Sequence, residues 1–242
     1  MHAASVPAMT LRSAILIAPA LLCAVVALPA QAADPSQCQR LRGKDLAPAR
    51  HVKLVVRPST ERRLADGRRA AKLVGCVLPR GPLRRIGTRE GIDNDVAQDY
   101  DFTIVQVQGR IVLLSQQGSQ IGYQSHEATR VWNLDSGRAY DVARACSDKY
   151  GSCTGQDEYR LGTAFVTRRG DAVAALVRHP ADGSTPTTVV VASFATDGTR
   201  TLRDAGTVTT LSPTSLSLTG NLASWTNAGM TRSADIRTRP PA

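Results

Sequence analysis

The chain has 242 residues, a formal net charge of +10 at pH 7 and only 4% aromatic residues. This length fits one domain, and beyond residue 32 no apolar run is long enough for a membrane helix. Residues 33–89 contain no Phe, Tyr or Trp on which bases could stack. We therefore expect no specific recognition of nucleic acid.

The first 32 residues have the pattern of a secretory signal peptide. Arg12 precedes an apolar run over 14–30, and Ala30, Gln31 and Ala32 give the small-x-small cleavage pattern. We therefore expect a secreted protein, extracellular or in the cell envelope, without a transmembrane segment after signal removal. The predicted parts are a signal peptide, an N-terminal extension, a propeller-like β domain and a tail, at residues 1–32, 33–50, 51–237 and 238–242.

Positive charge is concentrated directly after the signal peptide. Residues 33–89 carry 15 Lys and Arg against 4 acids, whereas residues 90–242 carry 14 against 16. A concentrated positive field attracts polyanions, so we expect an anionic cell-wall or surface polymer as partner. A solvated edge that keeps the chain soluble is the alternative. The candidate anion-binding residues are Arg62, Arg63, Arg68, Arg69, Lys72, Arg84 and Arg85.

An acidic run follows the basic segment. Asp93, Asp95 and Asp99 place hard oxygen ligands close together, which makes them a weak candidate for Ca²⁺. Their spacing matches no calcium loop, and an acidic connector can also pair electrostatically with its basic neighbour. The favoured prediction is that the chain holds no metal and no cofactor.

Four cysteines remain after residue 32, an even number that favours disulfides in an exported chain. Of the three connectivities, we predict Cys146 with Cys153, which closes a tight loop, and Cys38 with Cys76, which holds the N-terminal segment to the body. A metal site is the alternative, but the spacing does not favour it.

Short β-branched runs separated by turn glycines recur along the chain. Runs on both sides of Gly109 predict a hairpin, and runs on both sides of Gly137 predict a second one. Gly170 and Gly198 repeat this pattern, each 61 positions later. Partial copies lie at 52–86 and 215–236. Four-stranded units at such intervals are typical of a β-propeller.

The segment 131–137, with Trp132 at its second position, resembles the third-strand end of a blade in tryptophan-aspartate repeat propellers. The segment 215–227 is similar to the last blade of uncharacterised secreted bacterial propeller-like proteins. The resemblance implies an all-β fold, a small or partial β-propeller of about four antiparallel blades. A β-sandwich of two sheets is the alternative.

No catalytic motif stands out in the sequence. There is no Gly-x-Ser-x-Gly elbow and no His-Glu-x-x-His helix. We expect Trp132 and Trp225 to pack between sheets, with carbohydrate stacking as the alternative for Trp225. The prediction is a secreted, non-catalytic binding or envelope-associated scaffold. A glycan-active or other hydrolytic enzyme on a propeller scaffold is the second hypothesis, and the oligomeric state stays open.

Overall fold

The computed structural model describes residues 35–46, 50–63, 69–89, 98–120, 124–148, 151–152, 158–180, 182 and 184–237. Within these residues the chain is all-β, as predicted, with one short helix. None of the described helical residues forms a segment long and apolar enough to cross a membrane. The elements are α1 Pro35–Arg40, β1 Lys44–Asp45, β2 Val52–Arg63, β3 Arg69–Val77, β4 Arg84–Arg89, β5 Gln98–Gln108, β6 Ile111–Gln120, β7 Gln124–Asn133, β8 Ala139–Asp148, β9 Gly151–Ser152, β10 Glu158–Val166, β11 Ala172–His179, β12 Thr188–Phe194, β13 Arg200–Thr207, β14 Ser217–Thr219, β15 Leu222–Asn227 and β16 Met230–Asp235.

The described strands form three antiparallel sheets. Sheet 1 has the order β1-β2-β3-β4, and sheet 3 has the order β14-β15-β16. Sheet 2 has the order β13-β12-β11-β10-β8-β7-β6-β5, with β9 paired to β8. Sheet 2 curls into a half-barrel. Its strands follow the chain order, so every connection is local.

The predicted glycine turns are present in both long repeats. Gly109 joins β5 to β6 with a φ of 62°, and Gly170 stands in the turn between β10 and β11 with a φ of 98°. Gly137 and Gly198 have φ values of 74° and 87° in the turns β7–β8 and β12–β13. These left-handed conformations favour glycine over any residue with a Cβ atom. The 61-residue interval therefore relates two real four-stranded meanders, β5–β8 and β10–β13.

The two meanders differ from separate blades because they share a sheet. Tyr159 of β10 pairs with Arg144 of β8 and thereby joins them. Sheets 1 and 3 have no common strand, so the first and last described units do not complete one sheet together. Three described sheets also do not match the two-sheet sandwich. A four-blade arrangement about one axis stays a prediction.

Both faces of sheet 2 are covered at the start of β6, which explains the continuous apolar run there. Ile111 and Leu113 point into the half-barrel and pack with Leu176 of β11. Val112 and Leu114 point the opposite way and pack with sheet 1. A strand that is covered on both faces shows no polar alternation. This explains why none of the four residues 111–114 is polar.

The second half of sheet 2 repeats this arrangement. Val173 and Val191 point away from the interior of the half-barrel. They pack against Leu211, which lies between β13 and β14, and against Trp225 of β15 in sheet 3. Trp225 is 3% exposed. The expectation that it packs between sheets is confirmed, and this burial leaves no ring face for carbohydrate stacking. The three sheets are thus packed in series.

The helix α1 covers the outer face of sheet 1. Cys38 of α1 and Cys76 of β3 form a disulfide, as predicted, and both are fully buried beside Val55 and Val74. The helix itself was not predicted from the sequence. Cys146 belongs to β8, but Cys153 lies outside the described residues, so their predicted disulfide stays a prediction.

Candidate functional site

The outer face of sheet 1 carries exposed positive charge beside its apolar centre. Arg57 of β2 is the direct cross-strand partner of Lys72 of β3. Both residues lie on the same side as Val55 and Val74, and both are exposed. Within the described part of the chain, neither side chain has a hydrogen-bond or ion-pair partner. We call this surface the basic face; its members are Lys53, Arg57, Lys72 and Arg85.

The other members of the basic face are partly engaged. Lys53 is half-buried, and its Nζ donates a hydrogen bond of 3.5 Å to the carbonyl oxygen of Gln39. Arg85 pairs with Val74 across β3 and β4 and makes interactions of its own. Asp45, opposite Val55, adds one carboxylate to this side of the sheet and is itself engaged. The unengaged charge of the basic face is therefore the Arg57–Lys72 pair.

The predicted anion-binding residues are distributed over sheet 1. Arg62 and Arg63 end β2, Arg69 begins β3, and Arg63 pairs with Arg69. Arg68 lies outside the described residues. The structure thus brings Lys72 and Arg85 to one face of sheet 1. Arg62, Arg63 and Arg69 lie at the end of the β2–β3 hairpin where the chain turns. Arg57 was not among the predicted residues, although its alternation with Val55 in the sequence was an available signal.

Arg84, one of the predicted anion-binding residues, contacts sheet 2. Its Nε and Nη2 donate hydrogen bonds of 3.4 and 3.0 Å to the carbonyl oxygens of Leu134 and Asp135. These carbonyls belong to the β7–β8 turn, so the guanidinium joins sheet 1 to sheet 2. These bonds join the two sheets and engage part of the guanidinium, so anion binding by Arg84 stays a prediction.

Of the three weak calcium candidates, the structure describes only one. Asp93 and Asp95 lie outside the described residues, and Asp99 belongs to β5, opposite Ser119. Among the described residues, no group of three or more His, Cys, Asp or Glu side chains is placed to hold a metal ion. The calcium hypothesis therefore gains no support.

Two clefts open at the turns of sheet 2, and the first of them also reaches sheet 3. The first cleft, of about 330 Å³, lies between β5, the β10–β11 turn and the β14–β15 turn. The second cleft, of about 500 Å³, lies between the turns β7–β8, β10–β11 and β12–β13. Arg169 lines both clefts, Arg168 lines the first and Arg138 the second. These arginines do not stand out in the sequence because they belong to the part of the chain with balanced charge.

The β10–β11 turn that carries Arg168 and Arg169 is tightly held. The hydroxyl of Thr167 accepts hydrogen bonds of 3.3 and 3.2 Å from the amides of Arg169 and Asp171. The hydroxyl of Tyr140 donates a bond of 2.5 Å to the carbonyl of Gly170. Burial, followed by the charges of Asp171 and Asp197, raises the pKa of Tyr140 above its usual range. Tyr140 is therefore neutral at physiological pH and acts as a donor.

A buried carboxylate joins sheet 2 to sheet 3. The Oδ2 atom of Asp204 accepts bonds of 2.6 Å from Trp225 Nε1 and 3.0 Å from Asn227 Nδ2, and Arg232 Nε lies 3.6 Å away. Burial acts to raise the pKa of Asp204, but the hydrogen bonds from Trp225, Asn227 and Ala205, together with the charge of Arg232, outweigh it. The pKa of Asp204 is thus lowered, and the carboxylate is ionised at neutral pH.

Comparison of the chain with protein-family models, curated proteins and solved structures finds no match. The basic face and the two clefts are therefore the candidate binding sites of the described structure.

Proposed function

We propose that this protein is an exported, non-catalytic binding scaffold, and that the basic face of sheet 1 binds an anionic cell-wall or surface polymer. The scaffold is proposed to be a partial propeller, since its meanders follow chain order and bury their faces against one another in series. The observation that carries the functional proposal is the exposed, unpaired Arg57–Lys72 pair.

Two like charges directly opposite each other on a sheet destabilise it. Arg57 and Lys72 are such a pair, and no described carboxylate neutralises them. A bound polyanion would remove this repulsion and release its own counterions, which favours association at low salt. The pair therefore contributes more to a complex with a polyanion than to the free protein.

The base of the basic face is rigid, which reduces the entropy lost on binding. Val55 and Val74 are buried between the strands and α1, and the Cys38–Cys76 disulfide fixes the helix there. The charged ends of Arg57 and Lys72 stand on this fixed base. A polymer with regularly spaced negative groups is a suitable partner because it contacts both cations along the sheet.

Retention on heparin-agarose in a NaCl gradient tests the proposal. The wild-type chain is expected to elute at higher NaCl than the double variant Arg57→Gln/Lys72→Gln, because fewer counterions are released on binding by the variant. The matched control is Arg144→Gln/Arg200→Gln, which removes the same charge from exposed residues of sheet 2. An equal decrease for both double variants, or no retention of the wild type, would contradict the proposal.

A further inference from the structure

The two clefts described above form one continuous cationic surface. Arg169 lines both clefts, while Arg168 and Arg138 line one each. All three residues are exposed, and their guanidinium groups have no partner among the described residues. None of the described lining residues of either cleft is acidic. The lining thus offers unpaired donors to a ligand that enters from solvent.

Other arginines at this edge of the sheets have hydrogen-bond or ion-pair partners. Arg84 binds the carbonyls of Leu134 and Asp135, and Arg110 forms an ion pair with the carboxylate of Asp135. Arg138, in the same β7–β8 turn as Asp135, has no such partner in the described part of the chain. The arginines that line the clefts are therefore distinguished from those that hold the turns together.

The nearby carboxylates are held by their own turns. Asp171 Oδ2 accepts a hydrogen bond of 3.5 Å from the hydroxyl of Thr167, and Asp197 Oδ1 accepts one of 2.8 Å from the amide of Thr199. Neither carboxylate lines a cleft. They reduce the positive potential around the clefts but do not occupy the arginines.

The backbone that carries Arg168 and Arg169 is held in place before any ligand binds. Thr167 organises their turn through its hydroxyl, and Tyr140 anchors the carbonyl of Gly170 from the neighbouring meander. A preorganised cation loses less conformational entropy on binding than a mobile one. The two arginines are thus presented by a rigid turn at the junction of both clefts.

The rest of the lining indicates which kind of anion fits. Gln108 and Asn221 supply side-chain amides, while Phe165 and Leu218 supply apolar surface in the first cleft. In the second cleft, Ser136 and Thr196 supply hydroxyls beside the ring of Tyr140; the volumes of the two clefts lie in the range of small-ligand sites. Amides and hydroxyls recognise sugar hydroxyls, apolar side chains cover a sugar face, and arginine forks bind carboxylates.

We infer that the two clefts together bind an acidic oligosaccharide whose uronate carboxylates pair with Arg138, Arg168 and Arg169. This site is separate from the basic face of sheet 1 and does not depend on it. It gives the scaffold recognition of sugar structure, whereas the basic face responds to charge.

Isothermal titration calorimetry with a tetramer of galacturonate tests the inference on the purified chain. The wild type is expected to bind the acid form about tenfold more tightly than the fully methyl-esterified tetramer, which keeps the sugar and lacks the charge. Arg169→Gln should weaken binding of the acid form by about tenfold, because this arginine contacts both clefts. The double variant Arg138→Gln/Arg168→Gln should weaken it at least as much.

Two controls separate this site from the basic face and from simple charge attraction. The variants Arg57→Gln/Lys72→Gln and Arg144→Gln are expected to bind the tetramer as the wild type does. If Arg57→Gln/Lys72→Gln lowers the affinity and Arg169→Gln does not, the tetramer binds to the basic face and the inference is wrong, while the proposed function stands. Absence of binding, equal affinity for the methyl ester, or equal affinity for inorganic phosphate would also overturn it.

Discussion

At the scale of single residues, several polar groups at the junctions of the sheets have specific partners, whereas Trp132 Nε1 is buried there without a hydrogen-bond partner among the described residues. Asp204 receives two side-chain donors from β15, and its carboxylate is only 8% exposed. Tyr140 and Arg84 donate to backbone carbonyls of a neighbouring meander or sheet. Such groups cost free energy when a partner is removed, since the remaining group is left unpaired and buried.

Asp204 gives a prediction for the dependence of stability on pH. Its pKa is lower in the folded protein than in the unfolded chain, so its contribution is present above about pH 4 and is lost as the pH falls through the folded value. We expect Asp204→Asn to lower the free energy of unfolding by about 2 kcal/mol at pH 7, the scale of hydrogen bonds to a charged group.

Urea denaturation between pH 2 and 7 measures this effect. The difference between the wild type and Asp204→Asn should decrease as the pH falls from about 4 through the lowered pKa of folded Asp204, because protonation removes the charge of the carboxylate. The control Asp182→Asn replaces an exposed carboxylate and should cost much less. A constant difference across the pH range would show that the charge of Asp204 does not matter.

At the scale of secondary-structure elements, turn glycines permit close packing between successive units. A Cβ atom at Gly137 would lie 2.8 Å from Arg84 Cζ, and one at Gly198 would lie 2.9 Å from Tyr140 Cβ. Arg84 begins β4, the last strand of sheet 1, and Tyr140 is near the start of β8, the last strand of the first meander of sheet 2. The two repeats thus use the same kind of contact with different side chains.

This contact predicts a difference between two glycine substitutions. Gly198→Ala should destabilise the fold by about 1–3 kcal/mol more than Gly109→Ala, because overpacking against Tyr140 adds to the backbone cost. Gly109 is a suitable control, since its φ of 62° is also positive and its Cβ direction is open. Thermal or urea unfolding of the two variants measures the difference. Equal losses would mean that Tyr140 yields without cost.

The attachment of α1 to sheet 1 gives a second prediction at this scale. The Cys38–Cys76 disulfide closes a segment with a sequence separation of 38 residues. Chain entropy alone then predicts a loss of about 4 kcal/mol for the double variant Cys38→Ala/Cys76→Ala. Urea denaturation measures the loss, and addition of a reducing agent should affect the wild type much more than the variant. A loss below about 1 kcal/mol would show that α1 does not depend on the bond.

The sequence predicted local structure better than the way in which the pieces join. Turn glycines and β-branched runs indicated the hairpins of sheet 2, and the 61-residue interval indicated their repetition. Strands such as β6 extend to Gln120, beyond the apolar run, because polar residues continue the hydrogen-bonded ladder. The pairing of Tyr159 with Arg144 depends on tertiary packing, and no local pattern marks it.

The candidate sites were only partly predictable for a similar reason. A charge count located the basic segment but could not separate Arg84, which holds a turn, from Lys72, which is exposed. The arginines of the clefts escaped attention because one turn carries Arg168 and Arg169 and another carries Arg138. Only the folded chain brings these turns together. The net charge along the sequence cannot show that these two turns lie close together in the fold.

At the scale of the whole molecule, the chain is a series of antiparallel meanders that bury their faces against the next unit. The half-barrel of sheet 2 lies between sheet 1 and sheet 3 in the series of apolar clusters. The outer face of sheet 1 ends this series with α1 and with exposed positive charge. In this account, charge-driven binding of an anionic polymer is a property of that terminal unit, whereas recognition of an acidic oligosaccharide belongs to the two clefts.

Equilibrium titration of the chain with a heparin oligosaccharide at several NaCl concentrations tests this claim most directly. The logarithm of the affinity should fall linearly with the logarithm of the salt concentration. For Arg57→Gln/Lys72→Gln the slope should be shallower by about two, one for each lost cation, while Arg144→Gln/Arg200→Gln should keep the wild-type slope. An unchanged slope for Arg57→Gln/Lys72→Gln would show that the polymer binds elsewhere.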